Sequence, residues 1–319
     1  MKISKNIPIV WQISALHLTD KRTLFSGVIL SNYPFTYDTK TGMLNNMVKV
    51  IKSYYTRTFS NKEILIISNG KTIKAKTDIH GSFQVIAGFW HKGEIKIYIT
   101  GQNNPLHILQ TYPITFKETG SPFDIISDID DTIIVSYTAD FFKRIGVVAF
   151  TPPAKRKVIG FSQKLLDEFK KQDTRIFYVS KSESNLFGML TTFITHNKLP
   201  KGKLFLTPYL NYHQLLFTKK NKVFKIDRIR FLIKNSNNKK YILFGDDSQK
   251  DIEIYSKIAE EFPQAILKIY IRQTKNKIFP HQKQMLEKLR SINVPFTYFK
   301  TDTLIDIAKE ISQLKNNFQ

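Results

Sequence analysis

The chain has 319 residues, 42% hydrophobic and 24% charged, with 13 Gly and 12 Pro; this suffices for about two domains with their own cores and excludes a stapled miniprotein, a collagen and a disordered tail. It contains no cysteine, which removes disulfides, thiolate nucleophiles, Cys-ligated zinc and iron–sulfur clusters, so any chemistry must use oxygen and nitrogen groups. The 49 Lys and Arg against 26 Asp and Glu leave a formal charge of +23, which points to an anionic partner (nucleic acid, membrane surface or phosphorylated substrate) unless the scattered lysines are merely solvated.

The first apolar stretch, Ile7 to Ile13, is broken by Pro8 and Gln12 and lacks a small-residue cleavage site, so no signal peptide is expected. No window approaches about 18 uncharged apolar residues, so the expectation is a cytoplasmic protein without a transmembrane segment, its membrane contact, if any, peripheral. From about 20 to 118 the chain reads as short alternating runs at 23–30, 63–68, 72–77, 82–87, 94–100 and 108–116. Turn signals such as Asn69-Gly70 and His80-Gly81 lie between them. Asn-Gly between two alternating runs is the strongest short hairpin signal, and the half is expected to be a small antiparallel β-sandwich-like domain.

After Gly120-Ser121-Pro122 the period changes. Apolar strands at 123–129, 175–180, 203–207, 240–245, 266–271 and 295–299 alternate with amphipathic helices at 163–171, 183–197, 223–234, 251–262, 281–290 and 303–314. Such alternation predicts an α/β doubly wound parallel sheet with its ligands at the carboxyl ends of the strands. The expected division is a β-rich accessory domain over 1–120 and an α/β domain over 121–319.

The first of these strands, Phe123-Asp124-Ile125-Ile126-Ser127, runs into Asp128-Ile129-Asp130-Asp131-Thr132. Three anions at the tip of a buried strand are costly unless something positive joins them, and the two-residue period puts Asp128 and Asp130 on one side. A surface turn with Asp131 and Thr132 capping a helix is the plainer alternative. A second apolar strand ends in Gly245-Asp246-Asp247 and continues to Asp251, which alone reads equally well as a turn with a helix cap. Two acidic strand ends in one parallel sheet share an edge, however, and supply hard oxygen ligands suited to Mg²⁺. Ser180, at the end of the strand Arg175-Ile176-Phe177-Tyr178-Val179, and Lys225, opening a helix upstream of Gly245, complete the set, though neither is informative alone.

These motifs together resemble the haloacid dehalogenase superfamily of aspartate-nucleophile phosphatases. They are more narrowly similar to the actin-patch-protein type of phosphatidate phosphatase. The residues that carry the resemblance are Ser127-Asp128-Ile129-Asp130-Asp131-Thr132-Ile133, Phe177-Tyr178-Val179-Ser180 with Ser182 and Asn185-Leu186, Leu199-Pro200-Lys201-Gly202, Lys225 with Ile229, Gly245-Asp246 through Asp251 with Glu253-Ile254-Tyr255, and Ile269-Tyr270-Ile271-Arg272. Five positions in three places depart from it: Glu183-Ser184 stand where the family has Pro-Trp, Thr207-Pro208 where it has Arg-Asp, and Asp247 where it has Ser.

The resemblance implies a Mg²⁺-dependent phosphomonoesterase acting on a lipid phosphate. Asp128 would be the nucleophile and Asp130 the general acid and base. Ser180 would hold a phosphoryl oxygen and Lys225 would balance its charge, with Lys222 as substitute. Thr132 and Ser182 would contact substrate, and the metal would take Asp128, Asp130, Asp246, Asp247 and Asp251. The roughly 30 residues between Thr132 and the next helix are too few for a large cap, so the site is expected to be open, with the apolar segment 137–153 as a flap or simply a packed connection. Two other readings remain: a phosphatase of nucleic-acid ends or soluble phosphoesters, and a non-catalytic module that binds membrane or protein.

Overall fold

The computed structural model describes residues 7–37, 42–135, 151–212, 214, 223–236, 239–248, 250–274, 277–300 and 306–316. Lys222 and nearly all of the expected flap at 137–153 lie outside the described residues. The chain forms two compact units. One is built on the chain up to Glu118 together with Ser182–Thr192 and a segment starting at Leu206; the other holds Thr119–Lys181, Phe193–Phe205 and the C-terminal part.

The first unit contains β1 (Ile9–His17), β2 (Thr23–Leu30), α1 (Met43–Ser53), β3 (Glu63–Ser68), β4 (Lys71–Lys76), β5 (Ser82–Ala87), β6 (Ile95–Ile99), β7 (His107–Ile108) and β8 (Thr115–Phe116). One sheet runs β5-β2-β1-β7 with β8 also on β1, and a second runs β4-β3-β6. Val10, Phe25, Ile29, Phe83, Ile64, Ile66 and Ile97, drawn from both sheets, share one buried cluster, which is the sandwich expected from the alternating runs. Asn69 and Gly70 both have positive φ, 53° and 69°, and close the two-residue hairpin between β3 and β4 in register Ser68 with Lys71, as the Asn-Gly signal requires.

Two elements here escape a period-based reading. β1 is buried along its whole length except at Gln12, so it does not alternate, and it is the strand on which β2, β7 and β8 all pair. The run expected at 108–116 is two short strands, both parallel to β1. The sheet is therefore mixed and not purely antiparallel; the two strands are separated by a segment holding Pro113, which has no N–H to give to a ladder.

The second unit carries β9 (Phe123–Ser127), α2 (Gly160–Lys170), β10 (Ile176–Glu183), α3 (Phe187–His196), β11 (Lys203–Thr207), α4 (Phe224–Lys234), β12 (Lys240–Asp246), α5 (Asp251–Glu261), β13 (Ile266–Arg272), α6 (Pro280–Ser291), β14 (Phe296–Phe299) and α7 (Ile307–Asn316), the ends of β10, α3 and β11 passing into the first. Its six-stranded parallel sheet has the order β11-β10-β9-β12-β13-β14. All five residues of β9 are buried, the pattern of a strand covered by helices on both faces. Aromatic packing ties helix to sheet and strand to strand: Phe123 meets Phe169 of α2 edge-on at 5.6 Å, and Phe244 stacks on its cross-strand neighbour Tyr270 at 4.7 Å. At the amino end of the sheet Arg175 clamps the buried Asp124 through Nη2 at 2.6 Å and Nε at 3.1 Å. Among the described residues no helix is long and apolar enough to cross a membrane.

Candidate active site

The strand order places β9 between β10 and β12, and the parallel register Phe244 with Ser127 brings the carboxyl ends of β9 and β12 level. The Asp128 N–H donates to the Phe244 carbonyl at 2.9 Å, so Asp128 leaves β9 beside Gly245 and Asp246 of β12. The loop beyond it is a tight turn: the N–H groups of Ile133 and Ile134 both donate to the Ile129 carbonyl, at 2.9 and 3.0 Å. No helix follows for Asp131 and Thr132 to cap within the described residues up to 135. Asp131 sits in the left-handed region, φ 57°, where a side chain with a short polar group is tolerated. Its carbonyl accepts from Arg272 Nη1 at 2.7 Å, and the Thr132 carbonyl accepts from Ser162 Oγ of α2 at 2.6 Å.

Lys225, in the first turn of α4, is fully buried. Its Nζ lies 3.1 Å from Asp128 Oδ1 and 2.6 Å from Asp251 Oδ1. Asp251 begins α5 and reaches this point only because residue 245 is glycine: a Cβ there would stand 2.7 Å from Asp251 Oδ2 and 2.7 Å from Tyr255 Cε2. Asp128, Asp246 and Asp251 thus converge, one carboxylate oxygen of each lying within 4.8 Å of the others. The Oδ2 atoms of all three and Thr132 Oγ1 are buried without a hydrogen-bond partner, which is costly for a carboxylate.

The electrostatics record the same deficit. Burial pushes the Asp128 carboxyl from 3.8 up to about 7, helped by the charges of Asp251 and Asp130 and opposed by Lys225. Asp246 is raised well above its ordinary value by burial, then by Asp251 and Asp128. For Lys225, burial acts downward, yet Asp128 and Asp251 raise it overall, so it stays charged. A group of buried carboxylate oxygens with unspent acceptor capacity, and no nitrogen or sulfur donor among them, fits a hard divalent cation.

The sequence-predicted residues divide as follows. Asp128, Asp246, Asp251 and Lys225 are assembled as described. Asp130 is buried beside them and its charge acts on Asp128, but it is not in the converging trio. Ser180 is buried on β10, two residues past Tyr178, the partner of Ser127. Ser182 falls in the first unit, where its carbonyl accepts from Thr207 Oγ1 at 3.2 Å. Asp247, expected among the metal ligands, is engaged elsewhere: Oδ1 accepts from the Thr274 N–H and Oγ1 at 2.8 and 2.5 Å, and Oδ2 from the Tyr298 hydroxyl at 2.6 Å. Lys181 joins the site with no sequence motif to mark it. Burial and the neighbouring Lys225 lower its pKa, while Asp251, Asp128 and Asp246 act to raise it, so it is a second cation within the field of the carboxylates.

Residues 123–273 match the family described as Phosphatidate phosphatase APP1, catalytic domain. The chain is 31% identical to phosphatidate phosphatase APP1 of Saccharomyces cerevisiae over 207 residues, 61% of this chain and 33% of that protein. It is 25% identical to an uncharacterised protein of Schizosaccharomyces pombe over 46% of this chain and 24% of that one. The chain therefore spans about a third or less of the length of these curated relatives. Among solved structures, the Pnkp1/Rnl/Hen1 complex aligns with 63% of this chain and 55% of its own at 13% identity and a TM-score of 0.32, too low to bear on fold or function. The sequence matches cover the strands and helices that carry Asp128, Lys225, Asp246 and Asp251: over residues 123–273 the chain is similar to APP1-type phosphatidate phosphatase catalytic domains.

Proposed function

We propose that the chain is a Mg²⁺-dependent phosphomonoesterase of the haloacid dehalogenase type that hydrolyses phosphatidate with Asp128 as nucleophile, the β-rich residues 1–120 serving as an accessory to it. The observation that carries this reading is the convergence of three buried carboxylates with unpartnered oxygens around a buried lysine at the carboxyl edge of a parallel sheet. The matched family and the yeast relative, named as phosphatidate phosphatase, supply the substrate class.

Asp128, Asp246 and Asp251 would hold the cation, with the Asp130 carbonyl in support. When bound, the ion offsets repulsion between the anionic phosphate and the carboxylates. A carboxylate oxygen of Asp128 attacks phosphorus and the ester oxygen departs, leaving an aspartyl phosphate. Asp130, protonated at the outset, gives its proton to the leaving alkoxide; as a carboxylate it then takes one from the water that attacks the acyl phosphate, so phosphate is released and both aspartates are restored. Lys225 holds Asp128 in place through its 3.1 Å contact and faces the charge that builds on the phosphoryl oxygens. Ser180 and the unpartnered Thr132 hydroxyl supply hydrogen bonds to those oxygens, and Lys181 adds positive charge.

The test is phosphate release from phosphatidate in mixed micelles, with and without Mg²⁺, by the wild type and by Asp128→Asn. The expected result is metal-dependent release that vanishes in the variant. Turnover of an aryl phosphate or a phosphorylated nucleic-acid end without turnover of phosphatidate would overturn the lipid assignment, and full activity of Asp128→Asn would overturn the mechanism.

A further inference from the structure

Helix α1 (Met43–Ser53) is amphipathic in the wrong sense for folding. The residues it buries are Asn46, Val50 and Ser53, whereas Leu44, Val48 and Ile51, with Tyr55 just past its end, are 66%, 39%, 48% and 62% exposed. Their spacing, i, i+4, i+7 and i+11, is one face of a helix. Tyr55 stacks on Tyr212, itself 44% exposed, with ring centres 5.4 Å apart and planes 12° from parallel. The stripe therefore ends in a pair of amphipathic rings. A contiguous exposed apolar face of this kind is a contact surface.

Charge identifies what it contacts. Between Asp38 and Glu63 the sequence has no acidic residue and five basic ones, Lys40, Lys49, Lys52, Arg57 and Lys62. Lys52 and Arg57 are exposed beside the stripe. An apolar helical face with tyrosines at one end and exposed cations beside it, in a stretch of sequence without acids, is the composition of a helix that lies in the plane of an anionic bilayer, its side chains at acyl depth and its cations among the headgroups.

We propose that α1 and the Tyr55–Tyr212 pair form a membrane-docking surface for an anionic lipid bilayer. This builds on the phosphatidate reading, whose substrate resides in a bilayer: docking turns a search through bulk solution into one confined to the surface where substrate is concentrated.

The experiment is co-flotation of the full chain with vesicles of phosphatidylcholine alone or with added phosphatidylserine, which presents negative charge but no phosphomonoester. The wild type should float with the phosphatidylserine vesicles. Leu44→Glu combined with Ile51→Glu should reduce that binding about tenfold or more, and Lys52→Glu combined with Arg57→Glu should weaken it chiefly for the anionic vesicles. Both variants should keep the wild-type circular dichroism and thermal transition, because all four side chains are exposed. Equal flotation of Leu44→Glu/Ile51→Glu and wild type overturns the proposal. So does failure of the wild type to float together with self-association that the variant abolishes, which would make the stripe a contact between copies. None of these outcomes depends on turnover, so loss of the phosphatidate reading would be seen separately, in the phosphate-release assay.

Discussion

Replacing Asp246 by Asn should make the metal-free protein more stable at neutral pH while spoiling its hold on a divalent cation. The asparagine keeps an Oδ1 acceptor for the Ser248 N–H, which donates to Asp246 at 2.6 Å, and removes only a buried negative charge. The scale of the relief is set by the site. The Asp128 carboxyl is held at about 7 instead of 3.8, so forcing it to ionise in the folded state costs roughly 4 kcal/mol. Asp246 is displaced in the same direction. The sign follows from linkage: the folded protein keeps these protons to higher pH than the unfolded chain, so for Asp128 the stabilisation is complete below about pH 4 and is lost as pH rises through about 7. By removing one uncompensated buried charge, Asp246→Asn should recover about 2–4 kcal/mol, or roughly 3–6 °C in Tm for a chain of this size. The measurement is thermal unfolding by circular dichroism in chelator at pH 8 and pH 5, followed by Mg²⁺ titration. The variant should melt above wild type at pH 8, by a smaller margin at pH 5, and should gain little from the cation. A variant no more stable than wild type at pH 8 in chelator, or stabilised by Mg²⁺ as strongly as wild type, would refute the reasoning.

Lys225→Met leaves Asp128 and Asp251 without the ammonium that lies 3.1 and 2.6 Å from them, and should cost about 3–5 kcal/mol in chelator together with all turnover, read by denaturant unfolding and phosphate release. Gly245→Ala would press a methyl group against Asp251 and Tyr255; cation affinity by calorimetry should fall about 10–100-fold with secondary structure intact. Asp247→Asn should leave cation affinity within about twofold of wild type, since both of its oxygens are engaged by Thr274 and Tyr298; a loss as large as that of Asp246→Asn would return Asp247 to the ligand set.

What could be read in advance, and what could not, follows from how each residue uses its neighbours. The run from Phe123 into Asp128 and the run from Tyr241 into Asp246 were legible because a continuous apolar strand ending in acids has few stable explanations outside a parallel sheet. Asp247 stands outside the converging trio because successive residues at a strand end face opposite sides; the side it faces is lined by Thr274 and Tyr298, remote in sequence. Lys181 carries no sequence signal, since most lysines are solvated and only the fold reveals which carboxylates lie within reach. β1 escaped because burial on both faces erases alternation. Helix α1 escaped for a different reason: it has no side-chain cap and no acidic first turn, so neither its start nor a core-facing stripe announced it.

The two compact units have a consequence for how this protein can be taken apart. The chain returns to the first unit after leaving it: Phe187 packs edge-on against Trp11 at 5.3 Å, and Asn185 Nδ2 and the Tyr209 hydroxyl both donate to the Ser53 carbonyl. A genetic fusion or deletion made at 118–119 would therefore yield no transferable cassette. It would strip Trp11 and Ser53 of their partners and expose Phe187, Asn185 and Tyr209 on the excised fragment, turning buried contacts into sticky surface. Insertions in an exposed loop such as 101–105 are the gentler route to tagging or splitting the molecule.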